Sequence, residues 1–261
     1  MKLPDGLDLR VADDVAFLTL DRPAQRNAIT MDMWRALPGV MAGMSADPQA
    51  KIVILAGAGG HFAAGADIGE FEAAFSTAER AADYGALLRG AMQAVADCPK
   101  PVIAQIEGAC IGGGCGLALA CDLRIAADTA RLGITPAKLG LAYSLEDTKR
   151  LTDAVGLSKA RMMLFTGQLL NGAQALAFGL VDQLAAPADL AGIVHALARD
   201  IADASQVSVR MTKRIVALIA QGAAHDTEET RRLFADAATG ADVAEGRRAF
   251  LEKRKPRFPT R

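Results

Sequence analysis

Two segments rich in glycine and alanine hold the chemistry that this chain's residue types allow. The first is Gly57-Ala58-Gly59-Gly60-His61-Phe62-Ala63-Ala64-Gly65-Ala66-Asp67-Ile68. The second is Glu107-Gly108-Ala109-Cys110-Ile111-Gly112-Gly113-Gly114-Cys115-Gly116-Leu117-Ala118-Leu119-Ala120. Small residues let a ligand approach the main chain closely, and a glycine-rich turn can aim a peptide N–H outward. Where such a turn opens a helix, the first amides have no intrahelical acceptor and the macrodipole adds positive potential. Two turns of this kind at the ends of parallel strands suggest N–H donors converging on one oxygen. That is an oxyanion hole, in which each donor contributes roughly 3–4 kcal/mol. The structural alternatives are an ordinary loop with Asp67 as helix N-cap, and close helix-to-strand packing through the second segment. A nucleotide site fits poorly: counted from Gly112, the sixth position of a dinucleotide fingerprint is Leu117, and no Gly-Lys-Ser/Thr ending is present.

The elements that must hold these turns follow from hydrophobic patterning. Residues 7–20 alternate around Asp13-Asp14, predicting two strands joined by a tight turn. Residues 51–56 and 101–106 are continuous β-branched runs, expected of central parallel strands buried on both faces. Ser76-Thr77-Ala78-Glu79 reads as a capping box opening a helix of about six turns to Cys98. Residues 122–127 and 131–134 suggest a second strand pair across a polar turn. Beyond about residue 187, the stretches 189–203, 206–221, 226–240 and 242–254 carry helical periodicity. The expected fold class is α/β, with residues 1–195 as the core and 196–261 as a carboxyl-terminal helical region, and no flexible linker between them.

At 261 residues the chain can bury a sizeable core. Twenty-nine Lys and Arg against thirty Asp and Glu give a net charge of −1, so no global field draws nucleic acid or an anionic membrane. Cys98, Cys110, Cys115 and Cys121 lack metal-ligand spacing, and His61, His195 and His225 lie far apart, so no metal site is expected. Met1-Lys2-Leu3-Pro4-Asp5-Gly6 has no basic flank and apolar run of a targeting signal, and a cytoplasmic location is the expectation.

Four ordered motifs carry a family resemblance. They are Leu20-Asp21-Arg22-Pro23 with Arg26-Asn27-Ala28, then residues 62–68, then Lys100-Pro101-Val102-Ile103-Ala104 running into Gly112-Gly113-Gly114 and Cys121-Asp122, and finally Phe250-Leu251-Glu252-Lys253-Arg254-Lys255-Pro256. Over nearly its full length the chain resembles the crotonase superfamily, the enoyl-CoA hydratase/isomerase family. The resemblance implies a crotonase-like spiral of repeated strand-strand-helix units and a carboxyl-terminal helical region for trimerisation, as a homotrimer or a dimer of trimers. It implies an acyl-CoA substrate held by main-chain contacts, with coenzyme A as part of the substrate and no prosthetic group. By position, the family's two oxyanion amides fall on Ala66 and Gly113. Adenine contacts fall near Ala64, Ala66 and Ile68, and the coenzyme-binding candidates also take in Arg26 and Asp67. Phe250 and Lys253 match residues that reach the acyl pocket or the coenzyme phosphates, often across a subunit boundary.

The chain departs from the family's hydratases at their two catalytic glutamates, whose aligned positions are Gly116 and Pro136. Adding water to a double bond needs a base for the water and an acid for the carbon, so isomerisation or decarboxylation is favoured over hydration. Residues 135–143 look like the corresponding stretch of methylmalonyl-CoA decarboxylase-type members, although those carry an imidazole at the position of Ala66 and a carboxylate at that of Gly116. Tyr143 could hydrogen-bond a departing carboxylate or orient a proton; the alternative is a half-buried aromatic. Glu146 and Asp147 fall where the family's isomerases place an acidic base. Structurally, Ser144 and Asp147 could instead open a helix, with Glu146 paired to Arg150. Asp67 and Asp122 read as structural, and Glu107 is a minor candidate. The alternative function is a non-catalytic acyl-CoA-binding homologue that kept the thioester site without its acid and base.

Overall fold

The computed structural model describes residues 3–259. Strands β1 (Leu7–Ala12) and β2 (Val15–Leu20) form the antiparallel hairpin, with Asp13 and Asp14 turning at φ 52° and 65°. Then follow α1 (Met31–Ala46), β3 (Ile52–Gly57), the single-turn α2 (Phe71–Ala74), α3 (Ala78–Ala96), β4 (Val102–Ile106), β5 (Ala109–Ile111) and α4 (Gly113–Leu119). The middle of the chain adds β6 (Leu123–Ala127), β7 (Arg131–Gly133), α5 (Leu145–Val155), α6 (Leu157–Thr166), β8 (Leu170–Asn171), α7 (Gly172–Phe178) and β9 (Gln183–Ala185). Four helices close it: α8 (Pro187–Asp203), α9 (Gln206–Ala220), α10 (Glu228–Thr239) and α11 (Ala241–Leu251).

The larger sheet has the order β1-β2-β3-β4-β6-β9, parallel from β2 onward. β3 and β4 are central and covered on both faces, as their continuous apolar runs require. Val53, Leu55, Val102 and Ala104 face a core shared with Trp34, Leu37 and Met41 of α1 and Val95 of α3. The alternate residues Ile52, Ile54 and Ile103 face the other way, under Leu190, Val194 and Ala198 of α8. Each large aliphatic side chain fully buried in this way stabilises the fold by about 1.5–3 kcal/mol.

Three expectations change in detail. Thr77, not Ser76, caps α3, accepting from the Arg80 amide at 3.2 Å, because the Ser76 hydroxyl donates to Ala73 O in the preceding turn. The helix runs 19 residues and stops at Ala96. β6 and β7 do not pair with each other. Asp128 N donates to Ala185 O at the end of β9 and Arg131 N to Gly108 O beside β5, so the turn between them hands the chain from one sheet to the other. β7 then lies between β5 and β8 in a second, three-stranded sheet. Residue 195 lies within α8, whose buried face packs on the large sheet. Beyond it, α9, α10 and α11 carry exposed Ile219, Phe234, Phe250 and Leu251.

Candidate active site

The first glycine-rich segment is held by the short motif that precedes α1. Asn27 is fully buried; its Oδ1 accepts from Arg22 N at 2.9 Å, and its Nδ2 donates to Ala58 O at 2.8 Å and His61 O at 2.6 Å. Arg22 Nη1 reaches Ala28 O at 2.6 Å and Asp67 Oδ2 at 2.8 Å. That hydrogen bond holds the Asp67 carboxyl below its ordinary range. Asp67 also caps the following 3-10 turn by accepting from Gly69 N. Asp67 is thus a structural clamp, and Arg22 and Asn27 set the loop through contacts that no local pattern encodes. Asn27→Ala is expected to lower the unfolding free energy by about 3 kcal/mol, since it strands several buried polar groups at about 1–3 kcal/mol each; urea denaturation measures this.

Ala66 forms a parallel bridge with Ile29. Ile29 N donates to Gly65 O at 2.8 Å and Asp67 N to Ile29 O at 3.0 Å. In such a bridge the flanking peptides bond to the partner, so the Ala66 N–H points to the opposite side. The second segment is tied to the first by the Ala63–Cys110 bridge. Gly112, at φ 55° and ψ −122°, then turns the chain into α4, a conformation that favours glycine. Gly114 has no room for a side chain: a Cβ there would lie 2.6 Å from Ala63 O. This contact presses α4 onto the first loop and brings the two donors together. A Cβ built on Gly113 would stand 3.5 Å from Ala66 N, and one on Gly65 would stand 3.7 Å from Gly113 N. Among the described residues neither the Ala66 nor the Gly113 amide donates a hydrogen bond. Two free amides from distant parts of the chain therefore stand side by side.

Both line a cleft of ≈ 360 Å³ whose walls come from the first loop, α2, α3, the start of α4 and the segment before α5. Phe71, Phe75, Leu88, Met92, Leu139 and Leu141 make it mostly apolar. Its polar groups are few: Tyr84, Arg89, Thr135, Tyr143, Ser144 and Asp147. Tyr143 is part-buried, and its hydroxyl donates to Gly112 O at 2.6 Å, on the turn that presents the Gly113 amide. Burial, with Cys115 and Asp147 nearby, pushes the phenol well above its usual value. Tyr143 is therefore a neutral strut under the donor turn, with its proton already committed. Tyr143→Phe is expected to cost about 0.5–1.5 kcal/mol of stability, read by thermal melting. The same variant should leave the limbs of the pH–rate profile where they are between about pH 6 and 9, because the phenol does not titrate there.

Of the two neighbouring carboxylates, the structure brings Asp147 to the cleft and leaves Glu146 outside it. Ser144 caps α5, which turns Asp147 inward and Glu146 to solvent. Asp147 Oδ2 accepts from Ser144 Oγ at 2.8 Å, and Oδ1 pairs with Arg150 Nη1 at 3.1 Å. Arg150 in turn donates to Gln93 of α3 at 2.6 Å. The expected Glu146–Arg150 pair is replaced by this arrangement. Glu146 is held below the usual carboxylate range first by its backbone amide and then by Ser144, Arg89 and Arg150, and it does not line the cleft. At Gly116 an added Cβ would lie 2.9 Å from Met92 Cε and 3.7 Å from the Tyr143 hydroxyl, so Met92 and Tyr143 occupy the space beyond it.

Of the coenzyme candidates, Ala64, Ala66 and Ile68 line the cleft; Ile68 is 67% exposed at its mouth. Arg26, Asp67, Phe250 and Lys253 do not. Phe250 and Lys253 lie exposed at the end of α11. Asp122 accepts from Val102 N and pairs with Lys213, a structural role, and Glu107 does not line the cleft. Among the described residues no group of three or more His, Cys, Asp or Glu could hold a metal ion. No described helix is long and apolar enough to cross a membrane.

Comparisons with known proteins point one way. The family described as Enoyl-CoA hydratase/isomerase matches residues 10–261. The chain is 35% identical over 252 residues to a probable enoyl-CoA hydratase of Mycobacterium leprae, covering 95% of each. It is 34% identical over 260 residues to a crotonyl-CoA hydratase of Syntrophomonas wolfei, covering 97% of this chain and 98% of that one. A crystal structure of an enoyl-CoA hydratase/isomerase family protein from Hyphomonas neptunium superposes with a TM-score of 0.95 at 42% identity, over 98% of both chains.

Proposed function

This chain belongs to the enoyl-CoA hydratase/isomerase family, with the crotonase fold, and from that premise we propose that it moves a proton within the acyl group of a coenzyme A thioester. The observation that carries the reading is the pair of free amides, Ala66 and Gly113, sharing one cleft with a single oriented carboxylate, Asp147. The thioester oxygen accepts from both amides. Negative charge arriving on that oxygen as an enolate forms is then stabilised by donors already in place. Asp147 takes a proton from one carbon of the acyl chain and returns it to another, shifting a double bond. One base suffices for this, whereas hydration needs a base and an acid.

The relatives' names favour hydration. The acid–base inventory of this cleft favours isomerisation: positions 116 and 136 hold Gly and Pro, and Asp147 is the one carboxylate among the described lining residues. Decarboxylation of a malonyl-type thioester uses the same oxyanion hole and needs no base, which keeps it as the second reading. Comparing turnover of a 3-enoyl-CoA, a malonyl-type thioester and crotonyl-CoA separates them. Conversion of the 3-enoyl-CoA to its 2-enoyl isomer is expected; robust hydration of crotonyl-CoA contradicts the reading. Binding of all three without turnover identifies a non-catalytic acyl-CoA binder.

The assembly belongs to the same proposal. The apolar surface of α9 to α11, and the absence of Phe250 and Lys253 from the lining of their own cleft, support a homotrimer or dimer of trimers in which a neighbour's tail completes the site. Four free, buried thiols suit a reducing compartment such as the cytoplasm.

A further inference from the structure

Tyr84, on α3, is 6% exposed and forms part of the wall of the ≈ 360 Å³ cleft. On its other side is a solvent-open groove of ≈ 400 Å³, bounded by Met31, Ala74 and Leu87 and by the exposed Arg35, Arg80 and Asp83. Among the described residues Tyr84 is the one side chain common to both linings. Its hydroxyl is buried and has no hydrogen-bond partner. A phenol left in that state costs about 1–3 kcal/mol, so no bond made by the hydroxyl accounts for a tyrosine at this position. What holds the ring is edge-on contact with Phe71 and Phe75, at centroid distances of 6.3 and 5.5 Å. Burial, with the carboxylates of Glu70 and Asp67 nearby, pushes the phenol up to about 12, so the wall is uncharged.

We infer that Tyr84 sets the upper limit on acyl-chain length: its ring, closed against Phe71 and Phe75, stops the chain where the cleft meets the open groove on the ring's other side. This rests on the thioester reading above. With the ring removed, the cleft opens into the groove, and a longer apolar chain continues along Met31 and Leu87. Each methylene newly buried there is worth about a fourfold gain in affinity.

The test is calorimetric titration of the wild type, Tyr84→Phe and Tyr84→Ala with butanoyl-, octanoyl- and dodecanoyl-CoA, with melting temperatures as the check on folding. In the wild type and Tyr84→Phe, dodecanoyl-CoA is expected to bind no better than octanoyl-CoA. In Tyr84→Ala it should bind at least about tenfold better, because the added methylenes find a place. Should Tyr84→Ala fail to fold, Tyr84→Leu is expected to show the same trend at smaller size. The same chain-length profile in all variants overturns the inference and leaves the thioester reading standing. A wild type that binds none of the three thioesters removes both.

Discussion

Replacing Gly113 with proline is expected to lower kcat by about 10²–10³-fold, the loss that follows removal of one oxyanion donor, or about 2.7–4 kcal/mol of transition-state stabilisation. Gly113 is the first residue of α4, where the fixed φ of proline is tolerated and the missing N–H breaks no helical bond. The Gly113 amide donates to nothing among the described residues, so the fold gives up no hydrogen bond. A Cβ at 113 meets the buried Trp34 ring at 3.3 Å, so a modest fall in melting temperature is expected, while kcat and kcat/KM per folded molecule fall together, the signature of an interaction made in the transition state. Loss of folding without a change in turnover per folded molecule would instead mark Gly113 as a packing residue.

Asp147→Asn is expected to reduce isomerisation by about 10²–10⁴-fold, the range of general acid–base catalysis. The amide is nearly isosteric and can keep the Ser144 contact, so the loss reads out the missing base and not a collapsed α5. Measured alongside, Glu146→Gln separates the two carboxylates. Glu146 points to solvent, so its substitution should change turnover by less than about threefold, a surface-level effect. The reverse pattern would return the base to Glu146 and break the link between cleft lining and chemistry.

The parallel strands at β3 and β4 are legible in the sequence because burial on both faces leaves an unbroken apolar run. The two donor turns are legible because close approach demands small residues in sequence. Helix α1 is harder to read: Pro38 and Gly39 interrupt it, and tertiary packing of Trp34, Leu37 and Met41 overrides their local preference. The choice between Glu146 and Asp147 turns on one residue of helix phase, which depends on Ser144 being the cap. The commitment of the Tyr143 proton to Gly112 O depends on a contact across 31 positions, which no local pattern encodes. Lys100 illustrates the same limit. It is 1% exposed and donates to Met44 O and Asp47 O at the end of α1, a burial that its place at the head of the 100–104 motif does not reveal.

The most direct test is a crystal structure of the protein with an unreactive acyl-CoA bound. The thioester oxygen should lie about 2.7–3.1 Å from both the Ala66 and Gly113 amide nitrogens. A carbonyl oriented away from that pair, with the amides bonded to water or to other groups while the ligand is in place, would contradict the account.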